Sequence, residues 1–245
     1  MEQTPCGEHS YRLVQALSAR RPAHSRKLYF LFRMPMNLHL EALTAEGRAL
    51  WARLPEVSEG YYLAGGTALA LQLNHRISLD FDFFSERHIP RTQLAKIENV
   101  FKGYTIVPRV NNRDELTVFM GAVKISFISY PFRAFLPFVE EQGIQLLSPK
   151  EIAVTKAYTI GRRGEWKDYV DFYSCLANGI ATLAEVIGYA QKKYDAAFSD
   201  RLFLEQLVYF DDIDETQKLN MKVSVSRDTV QAYFKHAIAD LHLAS

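Results

Sequence analysis

Apolar residues recur through residues 37–54 at Leu38, Leu40, Leu43, Leu50 and Leu54, a near-helical spacing that predicts an amphipathic helix packed on a sheet. A short apolar run at 61–64 predicts a strand. Gly65 and Gly66 follow, and residues 67–73 read as a short helix. In residues 79–84, Leu-Asp-Phe-Asp-Phe-Phe, the alternation predicts a strand with Asp80 and Asp82 on one face and Leu79, Phe81 and Phe83 on a core face. A helix over 89–102 with Pro90 in its first turn comes next. Three strands at 104–110, 115–120 and 122–130 follow, with turns at 111–114 and at Gly121. Residues 144–147 form a last short strand.

From Ser148 onward the pattern is helical. Ser148 is placed to cap, Pro149 fits the first helical position, and Glu151 falls where a capping box needs its acid, so a helix runs from there towards Ile160. A second helix over 165–177 carries Asp168 and Asp171 three positions apart, hence on one face. Further helices are predicted at 182–194, 200–208 and 226–243. Strand, helix, strand, helix and then antiparallel strands, followed by helices alone, is an α+β order. It implies a small mixed β-sheet core with packed helices at 37–147 and a helical part at 148–245. Residues 1–36, with the basic, Pro-interrupted stretch from Ala19 to Lys27, read as an appended or poorly ordered leader.

Composition narrows the function classes. Of the 245 residues 48% are hydrophobic and 23% charged, as in ordinary globular proteins, and the net charge of +1 excludes a broadly basic nucleic-acid coat while leaving room for a local basic cleft. Two cysteines, Cys6 and Cys175, make neither a disulfide framework nor a metal-ligand spacing. No membrane span or signal-peptide core is visible, and a cytoplasmic location is expected. The acidic run from Phe210 to Glu215 lacks the glycine and ligand period of a Ca²⁺ loop and reads as a solvated turn. His75 and His88 have no ligand partner at a useful spacing, which makes them structural or surface residues.

The chemistry concentrates in residues 61–85. Glycines lacking Cβ atoms let the backbone turn sharply and come close to a ligand, and the first free N–H groups of the following helix would face an anion. Asp80 and Asp82 on one face of a strand repel each other unless a cation lies between them. Mg²⁺ suits that position, because it takes oxygen ligands and shares them with substrate phosphates. Residue types and spacing therefore point to a site for a metal-bound polyphosphate.

The Gly-Gly pair, about a dozen residues, and then Asp-x-Asp among apolar residues resembles the nucleotide-binding signature of the DNA polymerase β-like nucleotidyltransferase superfamily. The wording GGTALAL followed by HRISLDFDFF is similar to the AbiEii/AbiGii toxin family. Lys156, the basic loop of Arg162 and Arg163, and Lys-Asp-x-x-Asp at 167–171 resemble that family's second functional block, which implies that the helical part at 148–245 closes the active-site cleft opposite the Asp-x-Asp strand. The resemblance implies Asp80 and Asp82 as metal ligands, with Lys156 on the nucleotide phosphates and Asp168 as an additional acid; Asp171 is a neighbour. It assigns Gly65, Gly66, Thr67, Arg76, Ser78 and Arg162 to nucleotide binding. It further implies two Mg²⁺ ions, an NTP substrate, an RNA acceptor such as tRNA, and a separately encoded antitoxin. From spacing alone, Lys156, Arg162, Arg163 and Lys167 read equally well as surface cations.

One position departs from the pattern. Superfamily members commonly carry a third carboxylate on a later strand, and here that slot holds Ser126, on the same face as Lys124 and Ile128. Three consequences stay open: the protein is inactive, another residue such as Asp168 supplies the third acid, or two carboxylates suffice. The same signature also fits transfer to a small molecule or a protein hydroxyl, and a nucleotide-binding module without turnover.

Overall fold

The computed structural model describes residues 38–211, 213 and 219–243. The leader at 1–36 and most of the acidic run after Asp211 lie outside them. Seven strands form one mixed sheet: β1 (Tyr62–Ala64), β2 (Phe81–Ser85), β3 (Ile106–Asn111), β4 (Glu115–Met120), β5 (Val123–Ser129), β6 (Val139–Glu141) and β7 (Ile144–Leu146), in the spatial order β3-β4-β5-β2-β1-β7-β6. Pairings β1–β7 and β2–β5 are parallel, and the others are antiparallel. The α+β reading holds.

Among the described residues the first half carries α1 (Ala45–Trp51), α2 (Gly65–Leu73) and α3 (Gln93–Val100). The single helix expected over 37–54 is instead a 3-10 turn (Leu40–Ala42), then α1, then another 3-10 turn (Leu54–Glu56). Thr44 restarts the helix by accepting from Gly47 N at 3.1 Å, so the N-cap overrides the hydrophobic period. Helix α3 begins three residues beyond Pro90, which lies in the turn before it.

Strand β2 starts at Phe81, not Leu79. Asp80 thus lies just ahead of the strand, and Leu79, expected in the core, is 50% exposed. Phe81 and Phe83 are fully buried, and Phe83 stacks on Phe127 with centroids 5.3 Å apart. Strand β6 has no counterpart in the expected pattern. It forms a hairpin with β7 through Gln142 and Gly143, both at positive φ, the conformation of a two-residue turn matching strand twist.

The second half carries α4 (Pro149–Ile160), α5 (Trp166–Ala177), α6 (Leu183–Tyr194), α7 (Asp200–Val208) and α8 (Arg227–Leu243). Ser148 caps α4, but only half of the expected capping box forms. The Glu151 carboxylate is buried and instead accepts from Leu136 N at 2.9 Å and from Lys193 Nζ at 2.5 Å. A complete box, Thr182 with Glu185, starts α6. Helices α4 and α5 pack on each other and on α2, while Phe172, Phe203 and Phe234 fill the helical core. This packing brings the second half of the chain up against the glycine turn.

Candidate active site

Gly65 opens α2 at φ +66, a left-handed conformation that costs other L-residues roughly 1–2 kcal/mol. A Cβ there would lie 3.3 Å from Asp82 Oδ2. Gly66 has a different reason to be glycine. A Cβ on it would overlap Arg76 Nη2 and come within 2.9 Å of Asp171 Oδ2. The close approach at this residue is to the protein's own ion pair, which lies under the first turn of α2. Ala64 is the N-cap and offers no side-chain cap, and the first turn holds no acid, so its N–H groups are left for an anion.

Thr67 and Ser78 serve the shape of the turn. The Thr67 hydroxyl donates to the Asp80 carbonyl and shares a 2.7 Å hydrogen bond with Ser78 Oγ, pinning the loop before β2 to the start of α2. Arg76 Nη1 reaches the same Ser78 Oγ at 3.3 Å. Both hydroxyls are buried, yet both residues line the cleft.

The cleft, about 430 Å³, is bounded by the glycine turn, by β2, β4 and β5, and by α4 and the start of α5. Asp82 enters it from β2 and Asp80 from just ahead of that strand. Between them stands Lys124 of β5, its Nζ 3.5 Å from Asp80 Oδ2 and 3.7 Å from Asp82 Oδ1. Burial pushes the Asp82 carboxyl up; Lys124 opposes that, and the neighbouring Asp80 charge adds to it. Burial alone would lower the Lys124 ammonium, but Asp82 and Asp80 outweigh it and its pKa is raised.

Across the cleft, Lys156 of α4 donates to Asp168 Oδ1 at 2.6 Å and lies 2.8 Å from Asp171 Oδ2. All three are buried. Burial would lower the Lys156 pKa, yet the two aspartates raise it, so the ammonium stays charged. Asp171 is the hub: it also accepts from Arg76 Nε at 2.7 Å and Nη2 at 3.0 Å, and His75 Nε2 is 2.8 Å away. Burial works to raise its carboxyl, but Arg76 and Lys156 hold it well below the usual carboxylate range. Asp168 takes a further contact from Arg163 Nε at 3.2 Å.

The structure therefore brings Gly65, Gly66, Thr67, Arg76, Ser78, Asp80, Asp82, Lys156 and Asp168 to one cleft. Arg162 lies elsewhere: its guanidinium stacks on Tyr158 at 3.6 Å and donates to the Tyr158 and Ala197 carbonyls, while Arg163 faces the cleft. His75, read as structural or surface, is a buried partner of Asp171. His88 lies at the surface beside Asp114.

Ser126 pairs with Asp82 in the β2–β5 register and lines the cleft, without supplying charge. Lys167, from the second functional block, also lines the cleft, and Lys124, Glu115 and Asn220 are wall residues that the sequence pattern does not single out. The alternation sets Lys124 on the Ser126 face and gives it no role. Glu115 and Thr117 alternate on β4 as Lys124 and Ser126 do on β5, which is the signal available in the sequence, and the structure pairs Thr117 with Ser126. Thr117 Oγ1 is 2.7 Å from Glu115 Oε1 and 3.0 Å from Ser126 Oγ. Asn220 joins through its carbonyl, which accepts from Ile77 N at 2.8 Å. Among the described residues no group of three His, Cys, Asp or Glu converges as a complete metal site, and no helix is long and apolar enough to cross a membrane.

A family model described as nucleotidyl transferase AbiEii toxin, type IV TA system, matches residues 48–243. An uncharacterized protein from Aquifex aeolicus is 29% identical over 191 residues, spanning 75% of this chain and 89% of the relative. The structure of JHP933 from Helicobacter pylori has a TM-score of 0.53 at 15% identity, covering 82% of this chain and 96% of that one. MenT4, a nucleotidyltransferase toxin from Mycobacterium tuberculosis, gives a TM-score of 0.51 at 14% identity, with 81% and 86% covered. At these identities the two structures share a fold with this chain.

Proposed function

The chain belongs to the AbiEii family of nucleotidyl transferase toxins, and from that membership and the geometry of its cleft we propose that it transfers a nucleotidyl group from an NTP to an acceptor hydroxyl. The observation that carries the reading is the placement of Asp80 and Asp82 in the same cleft as the uncapped start of α2 and the Lys156, Asp168 and Arg163 cluster. Carboxylates that already share one cation fit a divalent ion: Lys124 Nζ lies 3.5 and 3.7 Å from them. With Mg²⁺ held by Asp80 and Asp82, the ion would polarise the phosphoryl group and stabilise the leaving pyrophosphate.

The chain's own residues do the rest. The N–H groups at Gly65, Gly66 and Thr67 bind the phosphate tail, since an uncapped helix start is a ready anion site. Lys156 lines the cleft and stays charged, but Asp168 at 2.6 Å and Asp171 at 2.8 Å offset its field, so it meets the phosphates as part of a cluster with Arg163 rather than as a lone cation. Arg76 acts through Asp171, fixing the α2 turn against α5, and is a positioning residue. Glu115 is the remaining carboxylate on the sheet wall, and Ser126 offers a hydroxyl where an acid would otherwise stand.

The acceptor hydroxyl in this reading is on RNA, with the 3′ end of tRNA the first candidate, and a separately encoded antitoxin is the protein partner. A cytoplasmic setting follows from such a substrate. Purified protein, Mg²⁺, α-labelled NTPs and total tRNA are the components of the test, with label expected on RNA. Label on a small molecule or on protein would move the acceptor and keep the chemistry. NTP binding by calorimetry with no transfer to any acceptor would favour a nucleotide-binding module.

A further inference from the structure

Two carboxylates and one ammonium leave the Asp80, Asp82 and Lys124 group with a net charge of −1, and the ammonium stands where it opposes any incoming cation. Lys124 Nζ is nearly equidistant from the two, 3.5 Å from Asp80 Oδ2 and 3.7 Å from Asp82 Oδ1, and so straddles the pair. Its side chain is 32% exposed and sits on a flexible four-carbon stem, so it can leave without unpacking the sheet. A second anion waits in the same cleft wall: Glu115 on the adjacent strand, held by Thr117 at 2.7 Å.

We infer that Lys124 is a tethered counter-ion that holds the divalent-cation position between Asp80 and Asp82 and is displaced when the metal enters, moving to Glu115 or to the phosphates of the nucleotide. The inference rests on the metal reading of Asp80 and Asp82. Its consequence is ordered loading. A divalent ion arriving alone must expel an ammonium that then repels it at short range, whereas an ion arriving with a triphosphate brings the anion that takes the ammonium up. Lys124 is thus a positioning residue that couples metal affinity to nucleotide, by a reciprocal linkage.

The test is binding of Mn²⁺ alone, without nucleotide, by electron paramagnetic resonance, in wild type, Lys124→Met, Lys124→Arg and Asp82→Asn. Removing one positive charge at this range should tighten Mn²⁺ binding by about tenfold or more in Lys124→Met. Lys124→Arg keeps the charge and should stay as weak as wild type, and Asp82→Asn should lose the site. Circular dichroism melts establish that each variant is folded before its binding is read. Asp82-dependent binding that is equal or weaker in Lys124→Met, or equally tightened in Lys124→Arg, overturns the role of Lys124 and leaves the metal reading standing. No Asp82-dependent binding in either wild type or Lys124→Met overturns both.

Discussion

Arg76 and Asp171, 95 positions apart in sequence, meet through two hydrogen bonds of 2.7 and 3.0 Å beneath the first turn of α2. The pair ties the loop ahead of β2 to α5, and so joins the acidic side of the cleft to the helical side. Gly66 makes the room for it: a Cβ there would overlap Arg76 Nη2. Because the guanidinium is held at two points, it cannot move aside as a free surface arginine would. Gly66→Ala should therefore cost about 1–3 kcal/mol, the usual range for overpacking, seen as a lower urea midpoint. An unchanged midpoint would show that the pair has room to shift.

Asp171 should be the most stability-critical carboxylate of the cleft. It is fully buried and shared by Arg76, Lys156 and His75. Asp171→Asn leaves buried cations undercompensated and is expected to cost on the order of 3–5 kcal/mol in denaturant titrations at neutral pH.

The pH dependence has a definite sign. Arg76 and Lys156 hold the Asp171 carboxyl well below its ordinary value against the opposing effect of burial, so the unfolded chain binds the proton more readily than the folded one. Its stabilisation is fully present above the unfolded carboxylate pKa of about 4 and is lost as pH falls through the lowered folded value. Wild type should lose stability on acidification below about pH 4 more steeply than Asp171→Asn. Parallel acid limbs in the two proteins would contradict this.

Cys175 should be chemically silent in the native protein. It is fully buried on α5, its thiol faces the Pro149 carbonyl, and burial, with Asp171 adding, pushes the thiol far above its usual range. The thiolate is the reactive form, so iodoacetamide should leave Cys175 unmodified until denaturant is added. Peptide mass spectrometry reads the outcome, and labelling at native-state rates comparable to a free thiol would contradict it.

Much of this frame was legible in the chain. Strand β4 starts and stops as its alternation and flanking turns predict, and Ser148-Pro149 marks the start of α4 because local capping chemistry decides it. The glycine pair and the Asp-x-Asp motif are the residues the chain marks out by pattern, and both line one cleft. What local pattern could not carry was partner choice. Glu151 satisfies a capping-box spacing, yet its carboxylate bonds Leu136 N and Lys193, since the loop it anchors is distant in sequence. Gly66 reads from sequence as a close approach to a ligand, yet the groups its missing Cβ makes room for are Arg76 and Asp171, the latter distant in the chain. Lys124 had the right face but no visible partner, because only the parallel β2–β5 register sets it against Asp80 and Asp82.

The central claim is nucleotidyl transfer at the Asp80 and Asp82 pair. The Asp80 and Asp82 side chains are 40% and 30% exposed, and burial already works against the Asp82 charge, so removing either charge costs little and Asp80→Asn and Asp82→Asn should fold with near wild-type stability. The direct measurement is pyrophosphate release from α-labelled NTP with Mg²⁺ and total tRNA, comparing wild type with these two variants. The prediction is release with label appearing on RNA in wild type, and a loss of about 100-fold or more in each folded variant, in line with removal of a principal electrostatic contributor. No release by wild type with any NTP, or equal release by wild type and Asp82→Asn, would contradict it.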